Sequence, residues 1–190
     1  MDACEIQAAP PLLKLNLGCG SNMMDGFINV DMFGDPDLKL DLERVELWPW
    51  AENSIDTVHM SHVLEHIGFY SEDFLAFMRE LYRVCCNGAK IHIAVPHPRH
   101  DNFIGDPTHV RVITPQVMSL FSKKNCEEWQ SKGYSNTPLA LYHEVNFETV
   151  DVQYVPDWKY QKLPMAHLME MSAHQFNIIA EIRMVLEVIK

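Results

Sequence analysis

The sequence predicts one α/β domain over residues 1–190, built on a mostly parallel sheet, and three observations predict it. Short apolar runs alternate with longer segments of helical period, as in a sheet with helices packed on it. The runs stop at residues that suit the ends of strands: Leu12–Leu17 at Gly18-Cys19-Gly20, Phe27–Val30 at Asp31, and Leu38–Leu40 at Asp41. A chain of 190 residues is about one domain long and can bury a single core.

Two further strands are expected at Ile55–Met60 and Ala89–Val95, the second cut off by Pro96 and Pro98, which cannot continue a central ladder. Between them the spacing of Phe74, Phe77, Met78, Leu81, Tyr82 and Val84 predicts a helix from Ser71 as N-cap to Asn87, with Gly88 as its stop. Thr114-Pro115 reads as a cap followed by proline in the first turn, opening a second helix through Val117, Leu120 and Phe121 towards Trp129. Residues 144–155 and 178–189 alternate as two long late strands, paired like a hairpin around a short helix at Pro164–Met171. Lys123–Thr137, the most polar interval, is expected to run over the surface.

Acidic residues outnumber basic ones by 26 to 15, and a net charge of −11 repels phosphate backbones and anionic membrane surfaces. Neither nucleic acid nor a membrane is therefore expected as a partner. No apolar run is long enough to span a bilayer, and the first residues hold neither a basic patch nor an apolar signal segment, so a soluble, cytoplasmic protein is expected. The cysteines are Cys4, Cys19, Cys85, Cys86 and Cys126, an odd set without a CxxC pair, which fits free thiols and gives no thiolate zinc spacing. No metal is assigned on spacing.

The segment Lys14–Asn22 puts two glycines at the carboxyl end of the first strand, where a ligand can approach the backbone. A dinucleotide fingerprint would place glycine or alanine at position 23, which is Met, and an acid some twenty residues on, whereas Asp31 follows Gly20 by eleven. Asp31 and Asp41 close the next two strands, so one sheet edge carries glycines and then two carboxylates. A carboxylate at the second strand's end can accept from both hydroxyls of a ribose, and a side chain at the third can accept from an adenine amine.

Leu15-Asn16-Leu17-Gly18-Cys19-Gly20, then Gly26–Asp31, Ile55-Asp56 and Ser61-His62-Val63-Leu64-Glu65-His66-Ile67 resemble, in order and spacing, the class I S-adenosylmethionine-dependent methyltransferases, in particular the small type 11 branch. The resemblance is strong over the first hundred residues. It implies a Rossmann-like, seven-stranded, mostly parallel sheet with an antiparallel last strand and S-adenosylmethionine as cofactor. It also implies that the Gly18-Cys19-Gly20 turn lies against the methionine part, that Asp31 holds the ribose, and that Met32 flanks the adenine. Asp41 and Leu42 match the adenine edge, and Ser61 and His62 match positions near the methionyl group. Two departures stand out: Asn16 replaces an acid common in relatives, and the seven residues between Gly20 and Ile28 are too few for an ordinary crossover helix, so the N-terminal crossover helices are expected to be shortened.

Methyl transfer from a sulfonium needs alignment and removal of a proton from the acceptor more than a set of dedicated groups. Residues 97–111, rich in histidine, aspartate and arginine, are expected to form the acceptor wall. His100 and His109 are the candidate general bases, Asp106 the group that orients one of them, and Arg99 and Arg111 could hold an anionic group. The expected partner is a small-molecule acceptor, sugar-like or natural-product-like; the oligomeric state is not legible. Two other readings stay open at this stage: a non-catalytic binding module of the same fold, and a hydrolase whose metal is held by His97, His100, Asp101, Asp106 and His109, which lacks support from any HExxH spacing.

Overall fold

A computed structural model describes residues 11–190, and Cys4 lies outside the described residues. The strands are β1 (Leu13–Leu17), β2 (Ile28–Asp31), β3 (Leu38–Lys39), β4 (Ile55–Ser61), β5 (Cys85–Pro96), β6 (Phe147–Pro156) and β7 (Ile179–Val188). They form one sheet in the order β3-β2-β1-β4-β5-β7-β6. The pairings from β3 through β5 are parallel, and β7 runs antiparallel to both β5 and β6. The predicted reversed last strand and late hairpin are both present.

Alternation along the strands sends Leu15, Leu17, Val58, Met60, Ile91 and Ile93 to one face, where they join a single apolar cluster with Phe77, Phe121 and Phe147. The other face carries Lys14, Thr57, His59, Lys90, His92 and Arg183, none of them buried. Parallel sheets are ordinarily covered on both faces by their crossover helices. Here the shortening of the early crossovers is complete. No α-helix lies between β1 and β4, and a 3-10 turn at Val45–Leu47 is the helical element among those connections.

The first helix, α1, spans Ser71–Val84, with Tyr70 rather than Ser71 at the N-cap and an end three residues before the expected one. Its last carbonyls explain the early end. Arg83 and Val84 accept the N–H groups of Asn53 and Ser54, so the turn before β4 does what a C-cap glycine would have done. Gly88 instead sits within β5 at φ 81, in the stretch where the register against β4 shifts between Ile55 and Thr57. The second expected helix is two, α3 (Pro115–Ser119) and α4 (Lys123–Ser131); α2 is a single turn at Asp101–Ile104. Thr114 caps α3 as expected, but Ser122 accepts the N–H of Asn125 and starts α4 afresh. The carbonyls of Leu120 and Phe121 at the break accept from Ala140 and Phe147. A one-turn α5 (Leu139–Tyr142) follows, and α6 runs from Met165 to His174, later than the expected Pro164–Met171.

In place of a helix, side chains hold the β1–β2 connection. Asn16 and Asn29 are register partners. Asn16 Nδ2 donates to Asn29 Oδ1 at 2.8 Å and to the carbonyl of Asn22 at 2.9 Å, while Asn29 Oδ1 also accepts the N–H of Met24 at 2.8 Å. Asn29 donates both its backbone N–H and its Nδ2 to Asp37, and these bonds hold the Asp37 carboxyl below its usual range. The acid that Asn16 replaces would have no proton to donate here.

Replacing Asn29 by Ala strips acceptors from Asn16 and Met24 and a donor from Asp37. Urea unfolding is expected to show a loss of about 2–3 kcal/mol, against under 0.5 for an exposed loop position. Because the Asp37 pKa is lowered on folding, its contribution is present at neutral pH and fades as the pH falls below about 4, which Asp37→Asn should abolish in pH-dependent melts.

Candidate functional site

A cleft of about 450 Å³ opens at the carboxyl ends of β1, β2 and β4. Gly18 and Asp31 lie on it together with Met32, Leu42, His62 and His66. Such a volume suits a nucleoside-sized ligand. Gly18 has φ 65, and a Cβ there would come within 2.4 Å of Val63 Cγ2, so both the backbone conformation and the close approach of the segment after β4 require glycine. Asp31 reaches back to the same turn: its Oδ2 accepts the N–H of Gly20 at 2.9 Å, and its Oδ1 accepts that of Phe33 at 2.9 Å. The glycine turn and the acid are thus in contact on one face.

The other sequence-predicted cofactor residues are distributed around this centre. Cys19 is buried, its thiol pushed up by that burial, and with Ser61 it lines a neighbouring hollow against Asn16 and Met23. Asp41 accepts the N–H of Glu43 rather than lining the cleft. Sequence reading missed Phe33, Leu40, Glu43, Val63 and Ile67, all of which line it. The signal for Leu40 and Phe33 was their place beside Asp31 and Asp41 at strand ends. Glu43 is tied in by accepting the N–H of Gly68 at 2.6 Å.

His62 turns the chain out of β4 at φ 57, a left-handed conformation uncommon for a residue with a side chain. Its Nδ1 faces Glu65 Oε1 at 3.4 Å and its Nε2 bonds Glu181 Oε2 at 2.9 Å; the Glu65 carboxylate, then that of Glu181, hold the imidazole above its usual range. A 3-10 turn at Leu64–His66 follows.

The predicted acceptor wall divides into two anchored ends. At the first, His100 is buried, its Nε2 3.1 Å from Asp157 Oδ2 and its Nδ1 accepting the N–H of Asn102 as the cap of α2. Asp101 exchanges bonds with Asn177, and Arg99 donates to the carbonyls of Ser172 and Ala173. At the second, the N–H groups of Val110 and Arg111 both donate to the carbonyl of Glu65, which ties this end of the segment to the turn after β4. His66 and His109 meet there with ring centroids 4.6 Å apart, and His109 Nε2 stands 3.8 Å from Asp106 Oδ2. Asp106 and His109 therefore lie together, whereas His100 belongs to the other end. Thr108, by its hydroxyl and its N–H, holds the Asp106 carboxyl below its usual range. Arg111 packs over Phe74 and donates to the carbonyl of Gly68, while Arg99 is exposed and bonded through Nη1 alone. The five residues of the hydrolase reading are not gathered. Among the described residues the group with metal-ligand spacing is Glu65, His66 and His109.

The strand order, with its reversed strand inserted beside the edge, is that of the class I S-adenosylmethionine-dependent methyltransferases. A family model described as a methyltransferase domain matches residues 27–93, from the glycine turn's exit through most of β5. No curated protein matches the chain. Among solved structures it is similar to a SAM-dependent methyltransferase from Archaeoglobus fulgidus, with 16% identity, TM-score 0.62, and coverage of 93% of this chain and 86% of that one. It is similar also to the YcgJ protein from Bacillus subtilis, with 13% identity, TM-score 0.52, and coverage of 95% and 92%. A third is the Burkholderia thailandensis 1,6-didemethyltoxoflavin-N1-methyltransferase with bound 1,6-didemethyltoxoflavin and S-adenosylhomocysteine, with 12% identity, TM-score 0.54, and coverage of 95% and 72%. At these identities the likeness is one of fold.

Gly18→Ala should destabilise the protein by about 1–3 kcal/mol, from left-handed strain and the Val63 clash. Adding Val63→Ala should relieve the clash and leave the strain, so a double-mutant cycle in urea is expected to show favourable coupling between the two positions.

Proposed function

We propose that the protein transfers the methyl group of S-adenosylmethionine to an oxygen or nitrogen of a small-molecule acceptor. The observation that carries this reading is the bond between Gly20 and Asp31 on the wall of a nucleoside-sized cleft. The family match and the fold shared with methyltransferases support it. In this reading Asp31 takes the ribose hydroxyls with its remaining lone pairs, Met32, Phe33, Leu40 and Leu42 flank the adenine, and Gly18 and His62 border the methionyl part. Asp41 sets the loop that brings Leu42 in, and Cys19 and Ser61 back the turn from the other side.

The acceptor enters over the wall formed by His66, Asp106 and His109. Its lone pair attacks the methyl carbon in line with the C–S bond, the bonding pair stays on sulfur, and the acceptor's proton leaves towards that polar wall. His100, with both ring nitrogens engaged, holds the loop's first end. A sugar-like or natural-product-like acceptor suits a wall of imidazole and carboxylate groups. The Burkholderia enzyme of the same fold is bound to one such small compound, 1,6-didemethyltoxoflavin. The described cysteines Cys19, Cys85, Cys86 and Cys126 are free thiols, which supports the cytoplasmic setting proposed here; among the described residues no helix is long and apolar enough to cross a membrane.

Calorimetry tests the reading. S-adenosylmethionine is expected to bind, and Asp31→Ala to weaken it by about 1–3 kcal/mol, roughly 5- to 150-fold, through lost charged hydrogen bonds. Undiminished affinity in that variant would refute the ribose assignment. His109→Ala should lower turnover while S-adenosylmethionine affinity stays within about twofold, and binding without turnover on any acceptor would favour the non-catalytic module instead.

A further inference from the structure

We propose that Glu65, His66 and His109 form a binding site for a divalent transition-metal ion at the cleft, which His66 lines. One donor atom from each of the three lies within 4.8 Å of the other two. The observation that points to a ligand is Glu65. Its side chain is 1% exposed, yet neither carboxylate oxygen has a hydrogen-bond partner. Buried carboxylates are costly unless paired or bound to a metal; His62, 3.4 Å from Oε1, is an ion-pair partner for that oxygen, and Oε2 is left with none.

The two imidazoles are held in the tautomer a metal requires. His109 Nδ1 lies 2.8 Å from the carbonyl oxygen of Phe103, which can only accept, so Nδ1 carries the proton and Nε2 keeps its lone pair. For His66 the chain of inference is longer. The Thr108 hydroxyl donates its one proton to Asp106 Oδ1 at 2.6 Å, so towards His66 Nδ1, 3.1 Å away, that oxygen accepts, as does the Thr108 carbonyl at 3.2 Å. His66 therefore also carries its proton on Nδ1 and leaves Nε2 bare. Histidines that ligate metals characteristically donate their other N–H to a carbonyl or carboxylate in this way. Phe103 stacks on the His109 ring and fixes its plane, with centroids 5.3 Å apart. Asp106 Oδ1 is occupied by Thr108, and its Oδ2 stands 3.8 Å from His109 Nε2, outside the group formed by Glu65, His66 and His109.

Two neutral imidazoles with carboxylate oxygens and no thiolate select zinc, cobalt, manganese or ferrous ion over calcium or magnesium. His66 lines the cleft, so the ion would stand where an acceptor enters. On the methyltransferase reading given above, a hydroxyl compound is the acceptor that suits such a site: the ion would lower the pKa of its hydroxyl, water would take the proton, and the oxygen's lone pair would form the new C–O bond as the C–S bond breaks and its pair stays on sulfur.

The test uses the full chain, stripped with a chelator and titrated with Co²⁺ followed by visible absorption, then with Zn²⁺ by calorimetry. One equivalent of Co²⁺ is expected to give the ligand-field bands of a nitrogen and oxygen site and to be displaced by Zn²⁺. His66→Ala, His109→Ala and Glu65→Gln should each weaken binding by at least about 100-fold, beyond the 10- to 100-fold effect of a supporting hydrogen bond. His59→Ala with His92→Ala, on the far sheet face, should not change it. Glu65 is fully buried, so the two histidine variants carry the test where Glu65→Gln fails to fold. Absence of Co²⁺ and Zn²⁺ binding by the folded protein, or binding that survives all three substitutions, would overturn the site. S-adenosylhomocysteine affinity measured on the same samples separates the two readings. Metal binding without S-adenosylhomocysteine binding sinks the methyltransferase reading alone, and the reverse sinks the metal site alone.

Discussion

Ten residues, 18–27, bring the chain from the end of β1 back to the start of the parallel strand β2, where a dozen or more with a helix would be usual. A helix satisfies its own backbone groups, and without one the connection must find partners elsewhere. Asn16 and Asn29, opposite each other in the sheet, supply them, and Asp31 takes the N–H of Gly20. Both ends of this clamp stand on strands, so the turn is tied to the sheet on each side. The cleft depends on that tie, since Gly18 meets Val63 in a gap with no room for a methyl group.

The acceptor side is built differently. Its first end is tied through His100, Arg99 and Asp101 to residues flanking β6 and β7, and its second through Val110 and Arg111 to the carbonyl of Glu65. Residues 97–111 therefore bridge the late hairpin and the early cleft. The late half of the chain, where family resemblance fades, becomes part of the site by this bridge, and Glu181 of β7 reaches His62 directly.

Much of this was legible in the sequence, for local reasons. Strand positions follow from apolar runs and the late β6–β7 pair from long alternation, while the reversed β7 was implied by the family resemblance. Gly18, Asp31, Met32, Leu42 and His62 share the cleft because strand ends in such sheets face one edge. The errors also have local causes. Gly88 was read as a helix stop, but carbonyls capped from a distant turn end α1 sooner, and the serine cap at Ser122 divides one expected helix into two. The grouping of Glu65, His66 and His109 escaped notice because its members are joined by backbone bonds across some forty residues, with no periodicity to mark it. A tautomer, too, is set by which neighbour can only accept, a fact of three dimensions.

The uncovered sheet face bears on how such a chain can change over time. β5 and β7 alternate buried residues with half-buried or exposed ones, β4 does so from Val58 to Ser61, and β6, at the sheet edge, buries Phe147 alone. A change of charge at the exposed members of the uncovered row, such as His92 and Arg183, leaves the apolar interior untouched. What is selected there is compatibility with solvent, and any lengthening of the early loops into helices would have to convert the row to apolar residues at the same time.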